Sequence, residues 1–385
     1  MYQDLIPIQE LGPHPGIYLV TPTHVKLGAS FPDYIRLTLI CTTLSHRINR
    51  IRNESQHGPL VKSFYHYRGI IIRSLMENIQ GGDNHTIDML VAGIIALSLS
   101  DAHHGASPNW RCHLEGVHNL VTLRGGVRSL SDTKSLDQLL LFFMFAAIIG
   151  NTTSPAPDLP MTELHLDDLD IIVNRYGGKL FSFQMCPPPL FTEIIRINHL
   201  RMRAVEGEHI EAECHSQEAC GILDRIHTFS PDEWSGSKPS SKEGWLLVGK
   251  IYQAAVSLYC TLSLQSVLVL PKSSELRDQC AEKGRLLQVL LNEALSSPKT
   301  KHSMIWPLVL LGVQAANDDT AMRTFVSGKL SELGYHIGSN VPMTAKAALE
   351  RFWASGDTRW DACFDRPYAF VTQIAVDMTQ LVEAH

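Results

Sequence analysis

Six residues able to do chemistry gather within eighteen positions: Asp101, His103, His104, Cys112, His113 and His118. Imidazole titrates near neutrality, so a turn joining these groups could move a proton on a bound substrate. Asp101, His104 and His113 are the candidates for that acid/base work. The same three would be metal ligands only if their donor atoms converged, and neither a metal nor a cofactor is expected. His103, Trp110 and Arg124 are the candidates for contact with a ligand. Arg124 precedes Gly125-Gly126, which puts its guanidinium at the negative end of a helix. There it either caps orphan carbonyls or grips a ligand carboxylate with two hydrogen bonds.

Other clusters carry weaker chemistry. His165, Asp167, Asp168 and Asp170 follow a Pro-rich stretch. Their carboxylates either bind a divalent cation or place negative charge at a helix start. Arg68 and Arg73 share a segment with Tyr65 and Tyr67, an aromatic-basic pairing too sparse to grip nucleic acid by stacking. The chain has no Gly-rich phosphate loop, no Ser-centred nucleophile elbow and no His-Glu-x-x-His zinc motif. Its eight cysteines, at 41, 112, 186, 214, 220, 260, 280 and 363, form no Cys-x-x-Cys hairpin. Reduced, largely buried thiols are expected, not a zinc site or disulfides.

The elements that must position these residues are helical. Leu60, Phe64, Tyr67, Ile71, Leu75 and Ile79 recur at steps of three and four, and Gly81-Gly82 supplies a stop. Thr86 to Leu99 is apolar almost all round and is expected at the centre. Ser107-Pro108 is a helix start, after which Trp110, Leu114, Val117 and Val121 form one stripe. Asn151 to Pro160 reads as a surface loop, and Ser230 to Gly244 as the longest polar loop. Long apolar helices follow at about 245–268, 276–295 and 304–315, with shorter ones at 320–333, 344–354 and 368–381. No alternating strand pattern stands out. The expected fold is all-α, with residues 1–31 as an extended lead-in and 32–385 as one domain of antiparallel helices around a buried central helix.

Three blocks in order carry a resemblance. The first runs Ser63-Phe64-Tyr65-His66-Tyr67-Arg68-Gly69 and on through Trp110-Arg111-Cys112-His113-Leu114-Glu115-Gly116 to Leu123-Arg124-Gly125-Gly126. The second is Trp306-Pro307-Leu308 with Met322-Arg323-Thr324-Phe325, and the third holds Trp353 and Trp360-Asp361. Together they resemble the fungal-specific transcription factor domain, the helical effector region that follows a six-cysteine zinc cluster in many fungal regulators. The resemblance covers roughly residues 32 to 370. It implies packed antiparallel helices, a nuclear setting and a role in transcription. It also implies a structural His113, packed beside Trp110 and hydrogen-bonded to a loop carbonyl. The six-cysteine cluster itself does not occur in this sequence.

Charge and composition bound the function. The formal net charge is −6 and no run of five Lys/Arg occurs, the wrong balance for a free-standing DNA binder. Hydrophobic residues make up 44% of 385, enough for a sizeable core. Met1 to Val20 does not read as a signal peptide, and the apolar run Leu139 to Ile149 is too short to span a bilayer. An intracellular protein of nucleus or cytoplasm is expected, without membrane contact. Two functional classes stay open. One is a regulator that binds a hydrophobic small molecule or a regulatory protein without reading DNA itself. The other is a repurposed binding domain or enzyme, such as a cyclase, isomerase or hydrolase, acting on a hydrophobic metabolite. A homodimer also stays open.

Overall fold

Apolar residues three and four apart bury one face of each helix, and the architecture follows from stacking those faces. In the computed structural model, the described residues are 17–19, 31–51, 54–79, 84–105, 110–130, 137–176, 186–207, 212–238, 241–297, 300–317, 320–370 and 375–377. They hold seventeen α-helices. α1 (Asp33–Arg50) lies against both α2 (Glu54–Ile79) and α3 (Asn84–His104). In α2, Phe64, Ile71 and Leu75 are buried, but Ile79, last of the series, is exposed. α4 (Trp110–Leu123) buries its stripe of Trp110, Leu114, Val117 and Val121 against α3. The short α5 (Gly126–Leu130) leads to α6 (Asp137–Thr152), which joins this layer to the rest.

The second half is longer and more deeply buried. α7 (Thr162–Asp167) and α8 (Leu169–Tyr176) pack beside α9 (Pro188–Glu206). α10 (Ala212–Thr228), α11 (Pro231–Gly236), α12 (Lys242–Ser266) and α13 (Ser274–Ser296) follow. Every residue of α14 (Ile305–Gln314) is buried, so it shares the central position with α3. Burial of that kind stabilises by roughly 1.5–3 kcal/mol per large aliphatic side chain. α15 (Thr320–Ile337) and α16 (Val341–Ser355) pack on α14 and return to touch α1 and α3 respectively; α17 (Trp360–Cys363) closes against α12. One continuous apolar core runs through all of it.

Three expectations need correction. Thr152, Thr153 and Ser154 are fully buried, so the first part of the expected surface loop is interior, while Pro157 and Asp158 farther along it are exposed. The polar backbone of the buried part is satisfied from within, because the buried Arg201 donates to the carbonyls of Asn151, Thr152 and Ser154. The polar stretch after Ser230 contains α11, since the Ser230 hydroxyl caps the Glu233 N–H and Pro231 sits at the first turn. Residues 368–370 are irregular instead of helical. Beyond them β2 (Ala375–Asp377) pairs in parallel with β1 (Ile17–Leu19), a three-residue ladder that puts a strand inside the expected lead-in. The Gly81-Gly82 stop, the Ser107-Pro108 start and most of residues 1–31 lie outside the described residues.

Candidate functional site

The His-rich turn splits into two environments. Asp101, on the last turn of α3, is completely buried. Arg68 of α2 reaches it with both arms of its fork, Nε to Oδ1 at 2.8 Å and Nη2 to Oδ2 at 2.7 Å. His113 of α4 adds Nε2 at 3.4 Å from Oδ2. Burial alone would raise the Asp101 carboxyl, but hydrogen bonds from His113 and Arg68, and the Arg68 charge, hold it below the usual carboxylate value. The bond to Asp101 in turn raises Arg68. His113 thus bonds a buried carboxylate, where the resemblance implied a loop carbonyl.

His104 joins the same corner through its ring. It lies on Phe64 with centroids 4.0 Å apart and meets the edge of Tyr65 at 5.8 Å. Burial lowers its pKa, against the attraction of Asp101. His103 faces elsewhere. It is buried beside His46, and burial followed by the charges of His46 and His104 brings it down to about 3. Its carbonyl is a hub, accepting from the Asn340 N–H at 2.9 Å and Asn49 Nδ2 at 3.0 Å. The tight approach needs Gly105, at φ +74°, because any β-carbon there would overlap the Asn340 amide.

Trp110 and Arg124 occupy opposite ends of α4, about 21 Å apart along its axis. Arg124 pairs with Asp88, Nη2 to Oδ1 at 3.1 Å, so part of its charge is met within the fold. Trp110 donates Nε1 to the Pro367 carbonyl at 3.3 Å. The acidic cluster is met by Arg128, which bonds Asp168 at 2.8 Å and Asp170 at 3.2 Å. Among the described residues no group of three or more His, Cys, Asp or Glu is arranged to hold a metal ion. All eight cysteines are free thiols, five of them buried.

Two spaces flank Trp110. On one side His113, Leu114, Phe143 and Ala369 enclose an apolar cavity of about 40 Å³. Among the described residues, His113 is the one titratable side chain on that lining. On the other side lies an open cleft of about 200 Å³ between α3, α16 and residues 366–370.

Sequence reasoning missed a second polar centre. Arg201, fully buried on α9, also donates to Tyr259 at 3.1 Å and to Asp361 at 2.9 Å. Trp306 and Trp360 donate their indole N–H groups to Thr152 at 2.8 and 3.0 Å. The tryptophans and Asp361 were visible as part of the resemblance, but nothing in the local pattern marks Arg201.

Helical architecture, ordered blocks and sequence agree on the class. Residues 38–370 match the fungal specific transcription factor domain, and the chain belongs to that family. It is similar to the phomenoic acid biosynthesis cluster-specific transcriptional regulator of Leptosphaeria maculans, at 46% identity over 382 residues. That alignment covers 98% of this chain and 73% of the relative. No solved structure matches the chain. Among the described residues no helix is long and apolar enough to cross a membrane.

Proposed function

We propose that this chain controls transcription of the genes of one secondary-metabolite cluster, acting in the nucleus through a bound small molecule or a partner protein. The observation that carries this reading is 46% identity, over 98% of the chain, with a cluster-specific transcriptional regulator. The net charge of −6 and the lack of Cys-x-x-Cys hairpins support a region that does not itself read DNA. The Asp101 carboxylate, fully buried and held by both Arg68 and His113, favours a structural Asp101–His113–Arg68 group over a cyclase, isomerase or hydrolase.

The test is a strain lacking the gene, complemented with the parent chain or with His104→Ala or His113→Ala. Transcripts of the neighbouring biosynthetic genes and their product are recorded together. The regulator reading expects both to fall in the deletion strain and to return with the parent chain. Product lost while those transcripts stay unchanged would sink it and revive catalysis.

A further inference from the structure

The cleft beside Trp110 is bounded on three sides by fixed structure. Asn340 and the His103 carbonyl lock the start of α16 to the end of α3, with Asn49 bonding both His103 O and Gly338 O. Residues 366–370 are held in place by Thr153, whose carbonyl accepts the Tyr368 N–H at 3.1 Å and whose hydroxyl donates to Tyr368 O at 2.7 Å. Trp110 adds its bond to Pro367 O. A space walled this way exists before any ligand arrives, so little ordering cost attends binding.

Its lining divides into two chemistries. Trp110, Val341, Tyr368 and Phe370 supply an apolar wall. Arg366 and Thr344 supply the polar groups. The Arg366 guanidinium lies over the Tyr368 ring at 5.2 Å and shares a side-chain hydrogen bond with the Tyr368 phenol, and among the described residues no carboxylate pairs with it. Asp365, its neighbour in sequence, is engaged by Tyr368 and Arg351 instead. The Thr344 hydroxyl likewise makes no hydrogen bond to the described residues, although its backbone N–H bonds Asn340 O. A guanidinium fork and a hydroxyl donor on the lining of one cleft match a carboxylate, and the apolar wall matches an alkyl chain.

We infer that this cleft is a binding site for a short aliphatic carboxylic acid, its carboxylate on Arg366 and Thr344 and its chain against Trp110, Val341 and Phe370. The cleft is about five times the volume of the cavity on the other side of Trp110, which suits a short acid such as hexanoate. A longer acid extends its tail through the open side. The binding claim stands on the cleft alone; its meaning as an effector site rests on the regulator reading above.

Sodium hexanoate is titrated calorimetrically into the purified full chain, with hexan-1-ol and hexylamine as comparisons. The expected result is a Kd below about 1 mM for hexanoate, with the alcohol and the amine at least about tenfold weaker. Arg366→Gln and Thr344→Val should each weaken hexanoate at least about threefold without moving the melting temperature, since both side chains lie at the cleft and not in the core. Ala369→Phe, which fills the cleft, should abolish binding even where it shifts stability. No heat up to about 10 mM hexanoate, equal binding of the alcohol, or unchanged affinity in both polar variants would overturn the site. Hexanoate bound as expected, with cluster transcripts indifferent to Arg366→Gln in cells, would support the site and count against the regulatory reading alone.

Discussion

Arg68 closes a two-pronged ion pair on Asp101, joining the middle of α2 to the last turn of α3 where the carboxylate has no exposure to solvent. A lone carboxylate there would be costly, so each partner exists at this depth because of the other. Replacing Arg68 by Met strands the charge and should destabilise by about 3–5 kcal/mol. Arg68→Met combined with Asp101→Leu should recover at least about 1 kcal/mol of that loss, because no buried charge is left unpaired. Urea unfolding of the single and double variants checks both numbers. A double variant no better than the sum of its parts would show the two residues acting independently.

Acid should unfold this protein in two windows of the same sign. His103 and His165 are buried, and burial brings each down to about 3 from the ordinary 6.5. They stay neutral in the fold while the unfolded chain takes up protons below about pH 6.5. Their contribution is therefore complete above that pH and is lost as pH falls towards 3. Asp101, held below its ordinary value, contributes above about pH 4 and is lost below it. Between pH 7.5 and 5.5 stability should drop by about 3 kcal/mol for the two imidazoles together, given about 1.4 kcal/mol per pH unit for each proton. Urea midpoints across that range measure the slope, which His165→Leu should roughly halve. A flat profile would mean that these imidazoles find water in the native state.

Local pattern made most helices legible, because the apolar spacing that buries a face is written into each segment. Trp110, Leu114, Val117 and Val121 are buried as their stripe predicts. What escaped depends on partners remote in sequence. The polar stretch from Thr152 to Ser154 is interior because Arg201, some fifty positions away, donates to it. The His-rich turn was legible as a cluster, but its division was not. Arg68 claims Asp101 from another helix, while His46 from α1 lies beside His103. Arg366 and Thr344, on separate elements, carried no signal of a shared cleft.

Trp110 is the partition between cavity and cleft, and its ring also occupies the space where a β-carbon at Gly150 would stand. Trp110→Ala should cost about 3–5 kcal/mol by merging the two spaces. Gly150→Ala should cost about 1–3 kcal/mol through overpacking against the same ring. Thermal denaturation followed by circular dichroism compares them. A loss below about 1 kcal/mol for Trp110→Ala would place that side chain outside the core.

Asp361 anchors α17 from one carboxylate: Oδ1 accepts from Arg201 Nη2 and the Ala156 N–H, both at 2.9 Å, and Oδ2 accepts from Ser266 at 2.7 Å. Asp361→Ala leaves a fully buried guanidinium with carbonyl and phenol partners but no counter-charge. The expected loss is about 3 kcal/mol. Asp361→Asn should keep part of the geometry and lose less. Chemical denaturation of both variants is the measurement, and equal, small losses would show that Arg201 is satisfied by its neutral partners alone.

The last prediction concerns DNA. Association with a duplex draws on phosphate contacts, each of which releases counterions and steepens the dependence on salt. A chain with formal net charge −6 starts with that balance against it. Several of its arginines are already committed to carboxylates, as Arg68 is to Asp101, Arg128 to Asp168 and Arg225 to Glu193. Gel shifts with promoter fragments from the neighbouring biosynthetic genes should therefore show binding weaker than about 10 μM at 150 mM salt, with no preference over unrelated duplex. Fusing a heterologous DNA-binding module to the chain should restore promoter occupancy in a reporter strain, and expression there should then track the state of the helical region. Sub-micromolar, sequence-selective binding by the chain alone would overturn the view that these helices do not read bases, and would direct the search to a basic face that its overall charge conceals.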